Sequence, residues 1–255
     1  MSGYQSLLLE QQEGIAVLTL NLPDKRNAML PEMTEEFPRV LEEVRHDPEV
    51  KALIITGAGS VFCAGGDLNM LHRMLGQAPE QNRREMGDFY RAYLSVIKVD
   101  VPVIAAMNGH AIGAGACFPL ACDIRILAEN ARMGFSFLNL GLHPGMASTH
   151  LLPPIVGSDY ATELLTTGRL VTAQEALAMR LVTRVVPQEK VMEEAMSIAK
   201  QMAEKPASSL RMAKRALARP KIEGLEEALD YEANAQMISF GSTEMRTAVE
   251  NALRR

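Results

Sequence analysis

An α/β fold is predicted by three features of the sequence. Apolar strand-like runs alternate with segments of helical spacing, two small-residue stretches each sit between a strand-like run and helix-like sequence, and the chain after Pro187 is helical in pattern. Ile15 to Leu20 reads as the first clear strand, and residues 1–12 before it lack the basic-then-apolar order of a leader, so the mature chain is expected to begin here. Pro31 to Arg45 has helical spacing, with Met33, Phe37, Val40, Leu41 and Val44 on one face. Ala52 to Thr56 reads as a strand leading to the first small-residue stretch, Phe62-Cys63-Ala64-Gly65-Gly66-Asp67-Leu68. Gly76 to Tyr90 is the least patterned part, read either as a mobile cover over a pocket or as a solvated surface helix. Val101 to Asn108 and Asp123 to Ala128 read as buried strands. The helix between them starts at the second stretch, Asn108-Gly109-His110-Ala111-Ile112-Gly113-Ala114-Gly115. Lys190 to Lys205, Ala207 to Ala218 and Leu225 to Ile238 follow as helices separated by Pro206, Pro220 and Gly224, and Thr243 to Arg255 is helix-like and basic at its end.

Composition narrows the function classes. The length suits one large domain, or one with an appendage, and net charge is −5 with the two signs interspersed, so no basic face for nucleic acid or anionic lipid is evident. The longest apolar stretches fall short of the roughly 20 residues of a membrane helix. Cys63, Cys117 and Cys122 form neither an even disulfide framework nor a metal-ligand spacing, and are read as reduced thiols of a cytoplasmic protein. The 16 methionines are read chiefly as core filler, with some available to line an acyl pocket.

The two small-residue stretches carry the chemistry. A helix entrance leaves its first N–H groups without intrahelical partners and carries partial positive charge, and small residues there let an oxygen that is gaining negative charge come close. Two such loops that converge make an oxyanion hole.

The same residues resemble the crotonase superfamily, the enoyl-CoA hydratase/isomerase family, over nearly the whole chain. Asn21 to Ala28 is similar to its first CoA-contacting turn, Phe62 to Leu68 to its first oxyanion loop, and Asn108 to Phe135 to its second loop with the following helix and strand. Leu140-Gly141-Leu142-His143-Pro144-Gly145, Thr167 to Ala176 and Leu181 to Pro187 follow in the family's order. Periodicity alone does not choose among α/β folds. The resemblance implies a crotonase spiral of ββα units over residues 1–197 and a helical region over 198–255 that assembles a homotrimer or a dimer of trimers. It also implies an acyl-CoA thioester as substrate, with coenzyme A as part of that substrate and no metal or other cofactor. The oxyanion amides would be those of Gly66 and Ala114, and the CoA moiety would lie near Lys25, Arg26, Ala28, Ala64 and Leu68. A simple exposed turn is the alternative for Lys25 and Arg26, and Asp67 reads as the cap of the next helix.

One departure stands out. The positions of the family's two catalytic glutamates are held here by Cys117 and Phe137, and neither a thiol of ordinary pKa about 8.5 nor a phenyl ring replaces a carboxylate. His143, within the Gly141 to Gly145 segment, is then a candidate acid/base, with a structural histidine as the alternative. His110 reads as structural, while Ser136, Asn139 and Ser148 are candidates to orient a carboxylate or water. Three readings follow: a hydratase or isomerase with relocated proton-transfer groups, an acyl-CoA decarboxylase whose loss of CO2 itself generates the enolate, and a non-catalytic acyl-CoA binding protein.

Overall fold

The structure, a computed structural model, describes residues 3–254. Strands β1 (Leu7–Gln12) and β2 (Ile15–Leu20) pair antiparallel through Glu13 and Gly14, both at positive φ, which suits the twist of a two-residue hairpin. Helix α1 (Pro31–His46) follows and buries Met33, Phe37, Val40, Leu41 and Val44. Three repeats then alternate between two sheets. In the first, β3 (Ala52–Gly57) and β4 (Val61–Cys63) lead to helices α2 (Leu68–Met74) and α3 (Pro79–Leu94). In the second, β5 (Val103–Met107) and β6 (His110–Ile112) lead to α4 (Ala114–Ala121). The third starts with β7 (Ile124–Ala128) and β8 (Arg132–Gly134) and continues through α5 (Ser148–Leu151), α6 (Pro153–Val156) and α7 (Ser158–Thr167). Strand β9 (Leu170–Thr172), α8 (Ala173–Ala178) and β10 (Arg184–Val186) close the core. Helices α9 (Val191–Ala203), α10 (Ala207–Ile222), α11 (Leu225–Phe240) and α12 (Thr243–Leu253) complete the chain.

The first strand of each repeat joins the large sheet, ordered β1-β2-β3-β5-β7-β10, and the second joins the small sheet, ordered β4-β6-β8-β9. Every residue of β3 and β5 is buried, as expected of parallel strands covered on both faces. Phe118 of α4 stacks on Phe62 and meets Phe37 of α1 edge-on, so α4 is seated in the aromatic centre of the core. No helix among the described residues is long and apolar enough to cross a membrane.

Two expectations are corrected. Residues 76–90 are neither an unpatterned cover nor a solvated helix, because most of them belong to α3, which buries Met86, Phe89, Tyr90, Tyr93 and Leu94. Its charged first turns and Gly87 hide that period in the sequence. Pro220 does not end α10. It lies in the helix's last turn, and Gly224, at φ 79°, makes the break.

A buried ion pair joins the carboxy-terminal helices to the core. Lys214 Nζ of α10 lies 2.7 Å from both Asp123 carboxylate oxygens, and Asp123 also accepts the Val103 N–H at 2.8 Å, tying α10 to the ends of β5 and β7. The buried side chain of Arg125 donates to the carbonyls of Cys122 and Leu181, which places a cation at the carboxy-terminal end of α4.

Candidate functional site

Parallel pairing brings the two small-residue loops to one edge. β4 pairs with β6, and β6 with β8, all parallel, so the segments after these three strands leave the small sheet on the same side. Their closeness depends on glycine. A Cβ on Gly65, which has φ 94°, would sit 2.5 Å from the Ile112 carbonyl and 3.3 Å from the Ala114 nitrogen, and one on Gly115 would collide with the Cys63 carbonyl. Gly113, at φ 56°, turns the chain into α4 and donates to Gly134 O at 2.8 Å. Among the described residues, no protein acceptor meets the N–H of Gly66 or of Ala114, the first residue of α4. Gly115→Ala should therefore displace the start of α4 from Cys63, and a loss of turnover that exceeds the loss of thermal stability would be its signature.

The turn before α1 is fastened to the same loop. Arg26 and Asn27 both have positive φ, and the buried Asn27 side chain fixes them by accepting the Leu22 N–H at 2.9 Å and donating to the carbonyls of Ala58 and Val61. Ala64 N donates to Arg26 O at 3.0 Å, and Met29 N to Gly65 O at 2.8 Å. Lys25 and Arg26 are thus exposed cations held beside the Phe62 to Leu68 loop. Asp67 accepts the Asn69 N–H and caps α2, as its position implied.

A cavity of about 610 Å³ runs between these parts, and Lys25, Arg26, Ala28, Ala64, Leu68, Gly66, Ala114 and Phe137 all line it. Two other candidates are elsewhere. Cys117 is fully buried and outside the lining, with its thiol pushed well above its ordinary pKa by burial and by the nearby Glu232 charge. His143 is also outside the lining. Its Nδ1 lies 2.7 Å from the Pro144 carbonyl and its ring packs against Tyr231 at a centroid distance of 5.8 Å, so its placement lends no support to the expected acid/base role. Ser136 and Asn139 line the cavity, and Asn139 donates to Gly168 O at 3.0 Å. His110 accepts the Arg132 N–H at 2.9 Å, a structural contact.

The inner wall holds polar residues that sequence reasoning missed. Tyr90 of α3 and Gln236 of α11 are fully buried and line the cavity. Gln236 Nε2 donates to His143 O at 2.7 Å. One turn earlier on α11, Glu232 accepts the N–H groups of Ala147 at 2.6 Å and Thr149 at 2.9 Å, along with the Thr149 hydroxyl at 2.6 Å. It thereby braces a loop in which Met146 and Ala147 both have positive φ and Met146 reaches the cavity. No local motif announces these residues, since they come from helices far apart in sequence.

Burial lifts the Glu232 carboxyl from the usual range to about 7, against the lowering effect of the bonds from Thr149 and Ala147. The native state then holds a proton that the unfolded chain releases near pH 4.5, so this group's contribution to stability falls as pH rises from about 4.5 to about 7, by about 3 kcal/mol. Denaturant titrations of the parent and of Glu232→Gln at both ends of that window should give a flatter pH dependence for the variant. Parallel curves would show that Glu232 titrates normally.

Comparison with known proteins agrees with this architecture. The family described as enoyl-CoA hydratase/isomerase matches residues 10–252. The chain is 38% identical over 221 residues to a putative enoyl-CoA hydratase of Thermus thermophilus, covering 87% of each chain. It is 33% identical over 246 residues to the crotonyl-CoA hydratase of Syntrophomonas wolfei, covering 96% of this chain and 93% of that one. The crystal structure of an enoyl-CoA hydratase/isomerase from Xanthobacter autotrophicus Py2 superposes with a TM-score of 0.90 at 30% identity, over 98% of this chain and 94% of that one. With a family match along almost its entire length and relatives of this similarity, the chain belongs to the enoyl-CoA hydratase/isomerase family and has its crotonase fold.

Proposed function

We propose that the protein is an acyl-CoA enzyme that stabilises a thioester enolate, with the N–H groups of Gly66 and Ala114 binding the thioester oxygen. The observation that carries this reading is that Gly66 and Ala114, each at or just before the start of a helix, line one cavity and that neither amide has a protein acceptor among the described residues. The CoA moiety lies at the mouth, where Lys25 and Arg26 can meet its phosphates and Ala28, Ala64 and Leu68 its less polar parts. The substrate needs no added cofactor in this reading. Exposed Met212 and Leu217 of α10 and Tyr231 and Ile238 of α11 suit a buried subunit face, and a homotrimer or dimer of trimers assembled through residues 198–255 is the proposed state, which sedimentation measures directly.

Among the described residues, the carboxylates lining the cavity are Asp24 and Asp67, and the glutamate positions of the family are held by Cys117 and Phe137. Crotonyl-CoA hydration should therefore be at least about 100-fold slower than in a relative that has both glutamates, as expected when general acid–base groups are missing. The same shortage favours a second reading, decarboxylation of a malonyl-type thioester, in which loss of CO2 makes the enolate without a base. Incubation with enoyl-, 3-hydroxyacyl- and malonyl-type CoA thioesters, followed by mass spectrometry, decides between them. Rapid hydration would defeat the inference from the missing glutamates, and no turnover of any thioester would leave acyl-CoA binding alone.

A further inference from the structure

Tyr90 combines features that a purely structural tyrosine lacks. Its side chain is fully buried, packs edge-on against Phe89 at 6.2 Å, and lines the same cavity as Gly66 and Ala114, yet its hydroxyl has no protein hydrogen-bond partner. An unpartnered buried hydroxyl destabilises a fold, and phenylalanine would fill the same volume without that cost. The neighbourhood accommodates this oxygen specifically. A Cβ on Gly145 would come within 2.5 Å of Tyr90 Oη and 2.7 Å of Gln236 Nε2, so the bare glycine backbone leaves the hydroxyl its place.

The remaining titratable groups of the lining are Asp24, Lys25, Arg26 and Asp67. The first three are exposed at the mouth and Asp67 is engaged as a helix cap, whereas Tyr90 is fully buried. Desolvation and the nearby Glu232 charge push its phenol well above the ordinary tyrosine pKa, so it stays protonated at neutral pH and is available as a donor.

We propose that Tyr90 is the catalytic proton donor of the cavity, delivering its phenolic hydrogen to the α-carbon of the enolate held at Gly66 and Ala114. This role rests on the enolate reading above. In the step, the enolate's electron pair forms the new C–H bond, the thioester carbonyl re-forms, and the Tyr90 O–H bond breaks with its pair left on oxygen. The phenolate then regains a proton from water entering at the mouth. Run backwards, the same step removes an α-hydrogen, so the exchange of that hydrogen with solvent reports it whichever overall reaction the enzyme performs.

The test is deuterium uptake by butyryl-CoA in D2O, read by mass spectrometry, with the full-length parent and Tyr90→Phe. The parent should exchange. Tyr90→Phe should exchange at least about 100-fold more slowly, with the butyryl-CoA Kd within about twofold and Tm no lower, since the substitution removes only an oxygen that no protein group holds. Parental exchange in the variant, or a loss matched by weaker binding or a lower Tm, would overturn the donor role alone. Absence of exchange in the parent would also overturn the donor role, whereas the enolate reading itself stands or falls on turnover of the enoyl-, 3-hydroxyacyl- and malonyl-type thioesters.

Discussion

Replacing Ala114 by proline should lower turnover of any enolate-forming substrate by about 10²–10³-fold while leaving the protein folded. The substitution deletes one N–H, and it does so where the backbone tolerates it: Ala114 is the first residue of α4, its nitrogen has no protein acceptor, and proline is favoured at first helical positions. The preceding residue is Gly113, which lacks the Cβ that most restricts a residue before proline. Because the amide meets the thioester oxygen best when that oxygen carries charge, kcat should fall much more than affinity for an acyl-CoA. Steady-state kinetics beside a thermal melt separate this from misfolding. An intact variant with parental kcat would mean that the cavity holds no such oxyanion hole.

The largest expected effect on stability is that of Lys214→Ala, about 3 kcal/mol or more. The Lys214 side chain is 3% exposed and its ammonium touches both oxygens of Asp123, a carboxylate that is itself 21% exposed. Removing the lysine leaves Asp123 with the Val103 N–H and the more distant Lys221 ammonium at 3.4 Å, and leaves α10 without its polar anchor on the core. Such a loss measures the cost of leaving a partly buried carboxylate with weaker partners more than the worth of the pair. The double variant Lys214→Met with Asp123→Asn should accordingly recover part of it. Denaturant titrations of the single and double variants give the comparison, and a single-variant loss below about 1 kcal/mol would show that solvent screens the pair.

Particular elements explain how far the sequence could be read. Ile15 to Leu20 is the observed β2, and the expected helix Pro31 to Arg45 is one residue shorter than α1, because the first is an almost unbroken apolar run and the second repeats its buried apolar residues at helical spacing. The three-residue strands β4, β6 and β8, which align the loops of the site, are too short to show any period and are fixed by their neighbours. Helix α3 was misread because its first turns are polar and its buried residues meet α1 and α11, which lie far from it in sequence.

By itself the sequence determined the family, the crotonase spiral and the location of the backbone groups proposed for the oxyanion hole. Gly65 and Gly115 are small because neighbouring backbone comes close, Gly113 is glycine at a positive φ, and a backbone N–H is placed by the local path of the chain. The turn with Lys25 and Arg26 was legible for the same reason, since its positive φ angles are set by adjacent residues and by Asn27. Side-chain direction was decided only in three dimensions. His143 lies within the Gly141 to Gly145 segment in sequence, yet its ring turns to the Pro144 carbonyl and Tyr231. Tyr90, Glu232 and Gln236 meet behind Gly145 from two helices separated by more than half the chain, and their shared burial and desolvation arise from packing that no local pattern records.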